Sequence, residues 1–137
     1  MVVGKQVDVV LVERGSLKAH EEVIPSNLEN RVSKMISNGF YKPIIVDSVT
    51  GVILDGHHKW TAAGLLNLDR VPVILANYME DSSIIVDVWP GCGRETISKQ
   101  EVIDMGLSDE VFPPKTSRHF FPFAVTAIRM PLEELRV

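Results

Sequence analysis

The stretch VILDGHHKWTAAGLL, Val52 to Leu66, changes character twice within fifteen residues. An apolar, β-prone run ends at Asp55-Gly56. His57, His58 and Lys59 follow, and Trp60 to Leu66 is again mostly apolar, in residues that suit a helix. This pattern predicts a strand, a tight turn and a helix. Gly56 lets the backbone turn sharply and come close to a ligand. The helix aims unpaired N–H groups and the positive end of its dipole back at the turn, which makes an anion site. With His57, His58 and Lys59 as side-chain donors, the corner suits a di- or triphosphate. Asp55, at the strand end, is placed to orient a histidine or hold a magnesium ion. The same residues also fit a plain strand-exit turn carrying two surface histidines, and the stretch alone does not choose. Adjacent helical residues diverge by about 100°, so His57 and His58 do not suit one shared metal, and zinc is the weaker reading.

Outward from this corner, IIVDSVTGVILDG (Ile44–Gly56) reads as a hairpin whose turn is Asp47–Gly51. The helix after the corner, His58 to Leu66, stops at Asn67. VPVILANY and SIIVDVW (Ser83–Trp89) are further strands, as is VDVVLVE (Val7–Glu13) near the start of the chain. Ser26 and Glu29 have capping-box spacing ahead of a helix with an apolar stripe at Leu28, Val32, Met35 and Ile36 and a left-handed end at Asn38-Gly39. Ser98 and Glu101 repeat the capping pattern before a short helix ending near Met105-Gly106. KTSRHFFPF after Pro113-Pro114 reads as a loop rich in donors, and the tail as an edge strand. No repeat or low-complexity linker interrupts the chain. Interspersed strands and helices predict an α/β (α+β) class with a mixed sheet, as a single domain over residues 1–137.

Composition narrows the function. A net charge of −4 and a pI near 5.5 argue against a dedicated nucleic-acid binder, yet allow a local cationic pocket. The single cysteine, Cys92, precludes an intrachain disulfide framework and fits a reducing compartment. No apolar run reaches the roughly 18 residues of a membrane span, and no signal-peptide core follows Met1. A cytoplasmic protein with no membrane partner is the expectation, and the oligomeric state is left open.

Three further constellations bear chemistry. Lys115, Thr116, Ser117, Arg118 and His119 are consecutive donors behind two prolines, the kind of segment that recognises phosphate or carboxylate, with Arg118 able to do so in bidentate fashion. A solvated loop is the alternative, opposed by Phe120, Phe121 and Phe123, which should anchor the segment to the core. His20, Glu21 and Glu22 precede a helix and read as dipole partners or, more sharply, as a general base beside the phosphate corner. Trp89 ends a strand just before Pro90-Gly91 and would wall a pocket or pack in the core. No P-loop, kinase catalytic-loop signature, nucleophile elbow or cysteine pair is present.

ILDGHHKWTAAGLLNLDRVPVIL resembles the ParB/sulfiredoxin-like superfamily, in which strand, turn and helix form a phosphate-binding corner. Within it, the chain is most similar to the archaeal free L-serine kinases. The features that carry this are His20-Glu21, Asp55–Trp60 and the late VFPPKTSRHFFPF (Val111–Phe123), in that order. The resemblance implies transfer of a phosphoryl group from ATP or ADP, with Mg²⁺, to the hydroxyl of free L-serine, giving O-phospho-L-serine for cysteine synthesis. It implies Glu21 as the catalytic base. It implies Asp55, Gly56, His57, His58, Lys59, Lys115, Thr116 and Ser117 at the nucleotide phosphates, and Trp89, Arg118 and His119 at the substrate. Lys59 stands where the family has arginine. ATP is the donor favoured. A sulfiredoxin-type reductase would need a cysteine in the corner, and a ParB-type clamp a DNA-binding domain. A non-catalytic nucleotide-binding regulatory module, or a kinase for another small alcohol, are the remaining alternatives.

Overall fold

The computed structural model describes residues 8–137. Strands β1 (Val10–Glu13), β2 (Ile44–Asp47), β3 (Ile53–Asp55) and β4 (Arg70–Ala76) form one mixed sheet in the order β1-β4-β2-β3. β2 runs parallel to β4, whereas β1 on β4 and β3 on β2 are antiparallel. A separate antiparallel ribbon pairs β5 (Ile85–Val88) with β6 (Ser117–Phe120). The helices are α1 (Pro25–Asn38), α2 (His57–Leu65) and α3 (Lys99–Gly106). Among the described residues, no helix is long and apolar enough to cross a membrane.

The twofold alternation of strand side chains divides the interior into two cores. Ile44, Val46, Ile53, Val71 and Val73 meet Met35 of α1 and Ala62 and Ala63 of α2 on one face. Ile45, Leu54, Ile74 and Ala76 point the other way, toward Val102 and Ile103 of α3 and toward Tyr78, Ile84 and Phe112. β2 is therefore buried on both faces, which is why it reads as an unbroken apolar run rather than an alternating one.

Several boundaries differ from the sequence reading. β1 begins at Val10, and Val7 lies outside the described residues. α1 begins at Pro25, whose fixed φ suits the first helical position, so Ser26 does not cap it. Ile36, assigned to the buried stripe, is 65% exposed because α1 packs through the face of Leu28, Val32 and Met35. The Ser98–Glu101 capping box is present with both of its hydrogen bonds. Part of the expected donor loop is strand β6. The tail makes one bridge, Met130 to Phe40, then a 3-10 turn (Leu132–Leu135) that buries Leu135, rather than an edge strand.

Candidate active site

Gly56 caps α2 with φ +112°, a conformation that favours glycine, and a Cβ there would lie 3.0 Å from the Ile44 side chain. β3 therefore delivers the chain straight into a helix beginning at His57, one residue earlier than its sequence indicated. His57 Nε2 accepts the backbone N–H of His20 at 3.1 Å, and His58 Nε2 accepts that of Ile24 at 2.9 Å. A backbone N–H can only donate, so each Nε2 is bare and Nδ1 remains as the ring's donor. Burial holds His57 well below the usual imidazole range, with His20, His119 and His58 adding to the effect. His58 is lowered by partial burial and by Arg31. The two histidines of the corner are thus neutral donors, held by the segment that carries Glu21.

That segment is extended and tied at both ends. Lys18 bridges Val52, and Glu21 bridges Phe112. The Glu21 carboxylate rests on three successive N–H groups. Oε2 accepts from Lys115 at 3.2 Å, and Oε1 from Thr116 at 3.2 Å and Ser117 at 2.9 Å. Lys115 has φ +56°, which turns these donors into an anion-binding concavity that the carboxylate fills. The Ser117 hydroxyl lies 3.0 Å from Glu21 Oε1 and 2.8 Å from His20 Nε2, while His20 Nδ1 is 2.7 Å from the Ile53 carbonyl. Burial lowers His20 to about 4.

The opposite wall is aromatic and cationic. The Trp89 indole N–H donates to the Ser117 carbonyl at 3.0 Å. Its ring lies 4.9 Å from the Arg118 guanidinium, which also packs 4.8 Å from Phe120. Among the described residues, Arg118 Nε is buried without a hydrogen-bond partner. His119 Nε2 is 2.8 Å from the Tyr78 hydroxyl, and burial takes this imidazole down to about 3. Lys59 is lowered chiefly by burial, opposed by nearby Asp55 and reinforced by Arg31 and Lys42.

Of the residues that the family resemblance implies for the site, all but Thr116 line one open cavity of about 370 Å³, while His20 lies buried behind it and Glu22 is not in its lining. The Thr116 hydroxyl instead donates to the Pro113 carbonyl at 2.7 Å, bracing its own loop. Arg31 also lines the cavity and was missed. Its signal was a second stripe on α1, polar rather than apolar, at Asn27, Arg31, Lys34 and Asn38. Arg31, Lys59, Lys115 and Arg118 face Glu21 and Asp55, so this wall is cationic although the chain is acidic overall. Arg31 and Lys59 also line an adjoining cavity of about 370 Å³, with Met35, Tyr41, Lys34 and Lys42. Among the described residues, no group of three or more His, Cys, Asp or Glu is arranged to hold a metal.

Compared with known proteins, the chain is 34% identical over 90 residues to the ATP-dependent L-serine kinase of Staphylothermus marinus, a match covering 62% of this chain and 35% of that one. It is similar to archaeal L-serine kinases. The ADP-dependent L-serine kinase SerK of Thermococcus kodakarensis is 31% identical over 91 residues, covering 63% of this chain and 38% of that one. The matches thus span little more than a third of these curated relatives. Among solved structures, a free serine kinase, a glutamate-to-alanine variant in complex with ADP, superposes with a TM-score of 0.86 at 21% identity over 96% of this chain and 95% of that one. That likeness bears out the expected fold, an α/β (α+β) ParB/sulfiredoxin-like domain with a mixed sheet and short helices. No protein-family model matches the chain.

Proposed function

We propose that this chain transfers a phosphoryl group from ATP or ADP to the hydroxyl of free L-serine, giving O-phospho-L-serine for cysteine synthesis. The observation that carries the reading is the Glu21 carboxylate, fixed on the N–H groups of residues 115–117 in the cavity formed by the α2 N-terminus and four cationic side chains. A site that only held nucleotide would gain nothing from an acceptor fixed among phosphate donors. The two kinases named above support the choice of serine and of a nucleotide donor.

Phosphoryl transfer passes through a loose transition state, so catalysis is mainly positioning and charge stabilisation. The N–H groups behind Gly56 and the Nδ1–H groups of His57 and His58 bind the phosphates, with Lys59, Arg31 and Lys115 neutralising their charge. The nucleoside enters the adjoining cavity over Tyr41 and Met35, because Arg31 and Lys59 border both spaces. Six cationic side chains (Arg31, Lys34, Lys42, Lys59, Lys115 and Arg118) line the two cavities and match a triphosphate better than a diphosphate, which favours ATP. Trp89 and Arg118 take the amino acid, Arg118 pairing with its carboxylate, and His119 closes that end. Glu21 takes the hydroxyl proton as the oxygen attacks phosphorus, and the bridging P–O bond breaks toward the nucleotide.

Magnesium fits as an ion held mostly by phosphate. Glu21 is occupied by N–H donors, which leaves Asp55 as the free carboxylate of the cavity, and Mg²⁺ commonly uses one or two carboxylates plus phosphates. When bound with Asp55, it would neutralise phosphate charge. Nucleotide and free serine as substrates place the reaction in the cytoplasm.

The test is a product assay with Mg²⁺ and L-serine, with ATP and ADP in separate reactions, reading phosphoserine by mass spectrometry. Product from at least one donor is expected. Glu21→Gln keeps an oxygen for the N–H groups but loses the base, so turnover should fall by about 10²–10⁴-fold with nucleotide affinity nearly unchanged. Nucleotide binding without phosphoserine would overturn the reading in favour of a regulatory module or another alcohol as acceptor.

A further inference from the structure

Behind Glu21 lies a row of polar groups whose protons can be counted. His20 Nδ1 faces the Ile53 carbonyl at 2.7 Å, and a carbonyl only accepts, so Nδ1 carries the ring's proton. In the neutral ring Nε2 is then bare, and its 2.8 Å contact requires the Ser117 hydroxyl proton. The same hydroxyl lies 3.0 Å from Glu21 Oε1, an oxygen already held by the Thr116 and Ser117 N–H groups, and a hydrogen bond across that contact needs a proton of its own. One hydroxyl proton faces two contacts. With Glu21 ionised and His20 neutral, the row is therefore one proton short. Adding a proton at Glu21 Oε1 completes it: Glu21 donates to Ser117 Oγ, Ser117 to His20 Nε2, and His20 to the Ile53 carbonyl.

On the serine-kinase reading of this site, we propose that Ser117 and His20 are positioning residues that make Glu21 a better acceptor, by forming a fully satisfied hydrogen-bonded row only once the substrate's proton has arrived. The substrate O–H bond breaks as its oxygen bonds to phosphorus. The proton moves to Glu21 Oε1, the phosphoanhydride electron pair leaves with the nucleotide, and the proton later returns to solvent through the cavity. No further reactant is needed. The row is enclosed where a proton could otherwise be lost: His20 and its ring nitrogens are fully buried, and Ser117 is 9% exposed.

The charged surroundings do not supply the same effect. His57 and His119 face the His20 ring at 4.6 and 6.0 Å between centroids, and both are neutral. Phe112 covers a further side at 6.4 Å. Across the cavity Glu21 is faced by Lys59, Lys115, Arg118 and Arg31, whose charge favours the ionised carboxylate, and by Asp55, which opposes it. The cations and the three N–H groups of residues 115–117 bring the carboxylate to the reaction ionised, and the row favours the protonated product of the same step.

Ser117→Ala removes the hydroxyl but keeps the N–H that holds Glu21. Its kcat should fall about tenfold, the acid limb of the kcat profile should move to lower pH by about half a unit or more, and KM for serine and nucleotide should stay within about twofold. Ser117→Thr, which retains a hydroxyl, should recover most of kcat and the wild-type acid limb. His20→Asn frees the Ser117 hydroxyl to donate wholly to the carboxylate and should move the acid limb the same way as Ser117→Ala. Circular dichroism and melting curves on each variant separate these effects from unfolding. An active wild type with unchanged kcat and pH profile in folded Ser117→Ala overturns the role of the row alone. A wild type that makes no phosphoserine overturns the kinase reading, and this proposal with it.

Discussion

Arg118 carries the reading of the acceptor. Its guanidinium lies between Trp89 and Phe120, its Nε is buried without a partner, and no carboxylate among the described residues pairs with it. Such an arginine is pre-organised for a planar anion. Arg118→Lys should raise KM for serine about tenfold, the loss of roughly one charged hydrogen bond, while kcat changes little. Initial rates over a serine titration would show this, and an unchanged KM would remove Arg118 from the acceptor site. Gly56 is under a different constraint. Gly56→Ala forces φ +112° on a residue with a Cβ against Ile44, which should cost about 1–3 kcal/mol and weaken nucleotide binding; denaturant melts and a nucleotide titration measure the two losses. The turn at Gly56 was legible because it is a local event in a run of three strong signals. The second partner of Ser117 was not, because His20 stands 97 residues away along the chain.

At the scale of elements, the corner is a clasp between α2 and the extended segment ahead of α1. His58, on α2, accepts the N–H of Ile24, and His57 that of His20, so α2 fixes both ends of the segment bearing Glu21. His58→Ala leaves the Ile24 N–H without a partner and should cost about 1–2 kcal/mol. Turnover should drop with it, because the carboxylate loses its fixed position; chemical denaturation and a single-turnover experiment report the two effects. The sequence placed α2, α3 and the hairpin of β2 and β3, where periodicity, capping and turn chemistry agree. It missed β6 because Ser117-Arg118-His119-Phe120 carries no β-branched residue and turns its polar side chains toward the cavity. Ser117 and Arg118 line the cavity rather than pack in the apolar core, and the usual alternation is lost. Ser26 was misjudged for a simpler reason, since Pro25 already fits the helix start.

Across the whole molecule, three buried imidazoles make stability depend on pH. His20 is lowered to about 4, His119 to about 3, and His57 well below its ordinary value, all chiefly by burial. Unfolded imidazoles titrate near 6.5. Below that pH the unfolded chain binds protons that the folded chain refuses, so this stability is complete above about pH 6.5 and is lost as pH falls through about 4 for His20 and about 3 for His119. Each histidine contributes about 1.4 kcal/mol per pH unit in that window. The melting temperature should therefore drop steeply between pH 6.5 and 4.5, and His119→Gln should make the drop shallower; a flat profile would mean these rings take up protons at the same pH folded as unfolded. The interspersed strands and helices made the class of fold legible, but not this dependence, which needs three histidines from distant parts of the chain beside one another. The same remoteness governs when the protein first becomes competent. Glu21 is seated by backbone groups 94 to 96 residues further on. A chain emerging from the ribosome exposes its glutamate early, yet that glutamate stays an ordinary solvated acid until β6 has been made and docked. On the proposed kinase reading, a partly made chain lacks its seated base and should not spend nucleotide.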